Sequence, residues 1–327
     1  MGPYRDTVFL SVAGVVVFAV LNTLATTDTS LFLSAVVTVA VVDMAHIYIT
    51  LMRIWRECHI RPRWFVAVFV GLFTFIAAAH YLRVPYLLSF VLYYAFIHFL
   101  RQNYGIHRWY LRRSNERKDA VLDWLLFGLT VTPFVAMHFR TQFAGVGFVD
   151  NERNELFLLP WRAGFEAMLW VVGAVIVAWA SYEVWLWKRG VRDVGRIIFF
   201  ASNALLYNAA FLWAHNGVVI VFALLTMHAL QYIALTGHFG MQRYGMSVRT
   251  VWWVVCGALM LAAVDVGARA IFGVDFARIM ASFTLGSSLL LALLLLPSLS
   301  HYTIDMWIWR RSWLAHVPET KPRSTGA

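Results

Sequence analysis

Apolar runs of roughly 20 residues, separated by short polar segments, recur from the start of the chain to about residue 300. A helix rising 1.5 Å per residue crosses about 30 Å of hydrocarbon in such a run. The pattern predicts spans at 7–26, 30–52, 64–81, 84–100, 121–139, 163–187, 197–214, 218–236, 251–270 and 279–300. The expected fold is all-α, a polytopic transmembrane helical bundle of about ten spans. It forms a single domain over residues 1–317, and a disordered cytoplasmic tail is expected over 318–327.

Composition supports this. Of 327 residues, 61% are hydrophobic and 13% charged, and the mean hydropathy is +0.68, which leaves no stretch for a separate soluble domain. Trp and Tyr gather at run ends, as at Trp185, Trp187, Trp252, Trp253, Trp307 and Trp309, where membrane interfaces favour them. The segment Met1–Asp6 has one arginine, and no small-residue cleavage site follows the first run, so that run is read as a retained span. Cys58 and Cys256 fall in a basic loop and an apolar span, which implies neither a disulfide framework nor a zinc ribbon. No internal repeat is evident, so an inverted-repeat transporter gains no support.

The net charge of +10 gives the bundle a direction. Cations fall after the even-numbered spans: Arg53, Arg56, Arg61 and Arg63; Arg101, Arg108, Arg112, Arg113, Arg117 and Lys118; Lys188, Arg189, Arg192 and Arg196; then Arg243 and Arg249. The positive-inside rule makes those connections cytoplasmic and both termini N-in/C-in, with Asp150, Glu152 and Glu155 outside. Charge placed this way is explained by topology, which argues against nucleic acid as a partner. The expected location is a bacterial inner (cytoplasmic) membrane.

Topology also sets the depth of the polar residues. Asp43 and His46 lie about two turns before the cytoplasmic end of the second span, His98 is at that level in the fourth, His228 in the eighth, and the tenth closes on His301 and Asp305. Four inward-running spans thus each carry a histidine to the cytoplasmic third of the bilayer, where ionisable groups are costly unless paired or bound. His301 and Asp305 are four apart and Asp43 and His46 three apart, so each pair shares a helix face. Imidazole with carboxylate is a ligand set for non-haem iron, in which an acid can instead orient an imidazole. His107 and His238, just past two of these spans, are candidates to complete a dinuclear site. Tyr232, four residues after His228, is a candidate catalytic hydrogen-bond donor; its bland alternative is an interfacial tyrosine. Membrane histidines also serve as hydrogen-bonded helix contacts, the reading given to His80 and His138, with His215 at the same outer side and His59 and His316 in loops. Gln102, Asn103 and Gln231 are polar groups of the inner level, whereas Glu183, Asn203 and Asn208 sit within spans as interhelical glue or cavity lining.

At Ile97-His98-Phe99, at His228 and His238-Phe239, and at Pro297 with His301-Tyr302-Thr303-Ile304-Asp305 running into an aromatic, Arg-bearing end, the chain resembles the Brp/Blh family. These are membrane-bound proteins known for oxygen-dependent cleavage of β-carotene to retinal. The resemblance implies iron held by His98, His228 and His301. The family's early motif places a histidine before an aspartate, whereas here Asp43 precedes His46, and this chain has more predicted spans. The clustered His-x-x-His-His boxes of membrane desaturases are absent.

The leading expectation is a membrane-embedded non-haem iron oxidoreductase, dioxygenase-like, with a mono- or dinuclear centre. Its partners would be dioxygen, membrane lipids and a lipid-soluble substrate such as a carotenoid or other isoprenoid. The alternatives are a haem b electron carrier with axial histidines and a transporter or proton relay that uses buried His and Asp.

Overall fold

The computed structural model describes residues 11–57, 62–113, 119–140, 158–214, 217–271 and 276–315. Glu152, Cys58, His59, His215, His316 and the tail over 318–327 lie outside them. Among the described residues the regular structure is helical and contains no strand. The helices are α1 (Ala13–Thr27), α2 (Thr29–Glu57), α3 (Pro62–Tyr81), α4 (Leu87–Arg113), α5 (Ala120–Met137), α6 (Arg162–Lys188), α7 (Val194–Asn208), α8 (Gly217–Tyr244), α9 (Val248–Ile271), α10 (Phe276–Ala281) and α11 (Leu285–Ala315).

Eight helices are long and apolar enough to cross a membrane: α2, α3, α5, α6, α7 with its continuation to Trp213, α8, α9 and α11. Two helices at predicted spans fall outside that set: α1, at 15 residues, and α4, which turns polar from His98 onward. The outer surface is suited to lipid. Helices α6 and α9 each bury only 11% of their apolar window, and Trp170, Trp252 and Trp253 stand exposed, a surface that water would not tolerate over this extent. The chain is an integral membrane protein.

Local chemistry accounts for several helix boundaries. Asp119 caps α5 by accepting from the Leu122 amide at 3.0 Å, and its other oxygen accepts from the Tyr182 hydroxyl at 3.1 Å, which ties α5 to α6. Asp193 caps α7 by accepting from the Arg196 amide at 3.1 Å. Past Asn208 the helix widens into a π turn, Ala209–Trp213. Pro297 inside α11 withdraws one helix hydrogen bond a turn before His301.

Side-by-side packing runs α11 along α3, α9 along α2, α6 along α5 and α1 along α8. A Cβ on Gly14 would come 2.6 Å from the Cβ of Met227, so the α1–α8 approach depends on that glycine. Three of these helices also meet one another, α2 packing on α8 and α11, and α4 reaches both α8 and α11. These four helices carry His46, His98, His228 and His301, and their contacts close a ring.

Candidate metal centre

His46, His98, His228 and His301 come together in the interior, each at most 3% exposed. The Nε2 atoms of His46 and His301 are 3.0 Å apart, and those of His98 and His228 are 3.1 Å apart. The rings meet edge to face, with centroids 4.6 Å apart for His46 and His301, 4.8 Å for His46 and His228, and 5.0 Å for His98 and His301. Donor atoms of His46, His228 and His301 lie within 4.8 Å of one another, as do those of His98, His301 and Asp305.

The donor set could hold a metal ion. Two imidazoles bound at about 2.0–2.1 Å and at right angles place their nitrogens about 3 Å apart, which is the separation of each pair here. Behind this convergence, Nδ1 of His228 and Nδ1 of His301 are buried with no hydrogen-bond partner among the described residues. The Nδ1 of His46 is 3.2 Å from Asp43 Oδ1, close enough for an ion-pair contact although the atoms are off the linear hydrogen-bond direction. The Asp43 carboxylate thus stands beside His46 on the side of its ring away from His301, where its charge favours a proton on Nδ1 over one on Nε2. Asp305 is placed differently: its Oδ2 is 3.9 Å from Nε2 of His98, on the inward-facing side, within reach of an ion that His98 would hold.

Around the histidines, Tyr232 is 1% exposed and its ring centroid is 5.7 Å from those of both His46 and His301, so it is a buried neighbour of the centre and not an interfacial residue. Gln102 donates to the His228 carbonyl at 3.0 Å and to Gln231 Oε1 at 3.1 Å, tying α4 to the α8 backbone at His228. Two aromatic neighbours, Phe99 and Tyr302, directly follow His98 and His301 in the chain, and nothing but that adjacency marks them in the sequence. Tyr302 stacks on His98 with centroids 4.7 Å apart, and Phe99 lies 4.7 Å from His228. Both residues, with Asp43, also line a cavity of ≈ 360 Å³ whose walls are otherwise almost entirely apolar. The centre therefore borders a space able to hold a hydrocarbon chain.

His107 and His238 do not reach the centre, which corrects the expectation that they complete a dinuclear site. They follow His98 and His228 by nine and ten residues on continuous helices, a displacement of about 13–15 Å. His107 instead sits 3.0 Å from Asp123 Oδ1, and His238 packs beside Trp109. Arg196, expected among loop cations, is fully buried, and its Nη2 donates to Glu183 Oε2 at 2.7 Å. The clue was Glu183 itself, an acid inside an apolar span that requires a cation. His80 pairs with Ser288 Oγ at 2.8 Å, and His138 with the Tyr93 hydroxyl at 2.8 Å, the helix-to-helix contacts expected of them.

Asp43→Asn is expected to weaken metal affinity by about 10–100-fold, because an amide orients His46 less firmly than a carboxylate. Metal titration of the apoprotein measures this; affinity equal to wild type would remove Asp43 from the site. Against known proteins, the chain matches no family model, no curated protein and no solved structure.

Proposed function

We propose that the chain is a non-haem iron oxidoreductase that brings dioxygen to a lipid-soluble substrate within the membrane. The observation that carries this reading is the pairing of four buried histidines, with nitrogens at 3.0 and 3.1 Å, to an adjoining apolar cavity of ≈ 360 Å³. His46, His98, His228 and His301 would hold the iron, with Asp305 beside His98. Iron in such a ligand set supplies redox chemistry with dioxygen. The chain contributes the rest: Asp43 orients His46, Phe99 and Tyr302 separate the ligands from the hydrocarbon space, and the apolar walls exclude water and align a chain. Tyr232 is the side chain placed to address a polar group at the His46–His301 side.

Haem b fits this geometry less well. Axial imidazoles need a flat slot for the macrocycle between them, whereas these rings touch one another at 4.6–5.0 Å. A proton relay has one observation in its favour, since imidazole nitrogens 3.0 and 3.1 Å apart also describe hydrogen-bonded pairs. Oxygen uptake separates these readings. Iron-loaded protein in lipid nanodiscs, given a carotenoid or isoprenoid alcohol, should consume oxygen and place isotopically labelled oxygen in the product. Uptake no greater than that of metal-free protein would refute the oxygenase reading.

The same reading takes the fold as ten spans with both termini in the cytoplasm. Cysteines introduced at positions 112 and 152 should then label from opposite faces of the membrane. Labelling from one face would overturn the orientation.

A further inference from the structure

Four of the residues that line the apolar cavity are polar: Asp43, Tyr93, Ser298 and Tyr302. Two of them are already engaged. The Tyr93 hydroxyl is 2.8 Å from Nε2 of His138, and Asp43 Oδ1 is 3.2 Å from Nδ1 of His46. The hydroxyls of Ser298 and Tyr302, by contrast, have no hydrogen-bond partner among the described residues. A helical serine either turns to solvent or donates back to a carbonyl three or four residues before it. Its neighbours on α11 take the second course: Ser300 donates to the Pro297 carbonyl at 3.0 Å and Thr303 to that of Leu299 at 2.8 Å. Ser298 instead lines the cavity. It is four residues before Tyr302 on the same helix, so the two hydroxyl-bearing side chains share one face. Tyr302 is 5% exposed and its ring stacks on His98 with centroids 4.7 Å apart, so this face adjoins the histidine centre.

Unengaged hydroxyls in an apolar wall are costly until a polar atom meets them. Each can donate one hydrogen bond and accept others, so the pair serves a hydroxyl or a carbonyl oxygen equally. We propose that the cavity binds a neutral, oxygen-ended apolar chain, an isoprenoid or long-chain alcohol or aldehyde, with its oxygen held by Ser298 and Tyr302 at the histidine end. A plain hydrocarbon fits the walls and leaves both hydroxyls unmet. The cavity extends from Phe99 back to Leu88, about 16 Å along α4, which gives the rest of a chain of farnesol size its place. The carbons nearest the histidines are then those at the oxygen end, and reaction would fall there and not in mid-chain. That consequence rests on the oxidoreductase reading, whereas the binding does not.

The test is binding of farnesol, farnesal and farnesene to the full chain in nanodiscs, without turnover. Wild type should bind farnesol and farnesal about three- to tenfold more tightly than farnesene, the range one added hydrogen bond supplies. Ser298→Ala/Tyr302→Phe, which keeps the ring on His98, should remove that preference and leave farnesene affinity unchanged. Tyr93→Phe should retain the preference, because the hydroxyl it deletes is bonded to His138. Wild type binding farnesene as tightly as the two oxygenated probes, or a preference that survives in the double variant, would overturn the proposal. So would a preference lost in Tyr93→Phe, which would put the oxygen on the opposite wall. Failure of all three probes to bind would reject the cavity as a ligand site, a different result from loss of oxygen uptake.

Discussion

Replacing His301 with alanine is expected to remove bound metal to background. His301 belongs to both donor groups, one with His46 and His228 and the other with His98 and Asp305, so its loss breaks each of them at once. The side chain is fully buried, so alanine also leaves a cavity and a stability cost of its own. His301→Gln therefore accompanies it as the variant that fills the space. Metal per protein should be at background in both, while His301→Gln elutes as a single species. Asp305→Asn should differ, because Asp305 adds a carboxylate beside His98 while leaving all four imidazoles in place. Its metal should be reduced and restored by added iron, which His301→Ala should not show. His80→Ala, altering a histidine bonded to Ser288, thirteen residues before His301 on α11, serves as the control and should retain metal. Equal metal in all of these proteins would show that α11 supplies no ligand.

Breaking the Arg196–Glu183 pair is expected to be the largest loss of stability from a substitution outside the histidine centre. Arg196 is 0% exposed and Glu183 6%, and their side chains meet at 2.7 Å across α7 and α6. Removing one partner strands the other charge in the interior, which costs about 3–5 kcal/mol. Such a loss is a large part of the stability of most proteins. Glu183→Ala and Arg196→Met should each unfold at markedly lower temperature in detergent. The double variant Glu183→Leu/Arg196→Met should recover much of the difference, because two apolar side chains leave no stranded charge. Single variants as stable as wild type would show that the pair is dispensable, and a double variant as poor as the sum of the singles would point to packing instead of charge.

These two cases mark what the sequence could and could not disclose. The apolar runs located the helices, since membrane thickness imposes their length, yet they did not locate the helix ends. The run at 84–100 belongs to a helix that continues to Arg113 and that at 218–236 to one reaching Tyr244, whereas that at 279–300 is broken: it starts in α10, which ends at Ala281, and resumes in α11, which runs from Leu285 to Ala315. Hydrophobicity records where lipid stops, whereas a helix continues until its backbone meets a cap or a breaker. Counting depth from the topology placed His46, His98, His228 and His301 at one level, and in the structure these rings are in contact.

Distance along a helix was equally readable, and nine or ten residues already separated His107 and His238 from the level of the other four. The lateral arrangement was not readable. Which helices are neighbours depends on packing angles and on close approaches such as that at Gly14, and no local pattern encodes them. The Tyr93–His138 contact and the burial of Arg196 both follow from that arrangement.

Metal content of the wild-type chain, purified from membranes in mild detergent and measured by mass spectrometry beside its absorption spectrum, is the most direct test of the account. Iron is expected at about one ion or more per chain, with no Soret band, held by the nitrogens of His46, His98, His228 and His301. Protein that is monodisperse yet carries far less than about one ion of any transition metal per chain, even after loading with iron, would contradict it and leave the four histidines as hydrogen-bonded helix contacts.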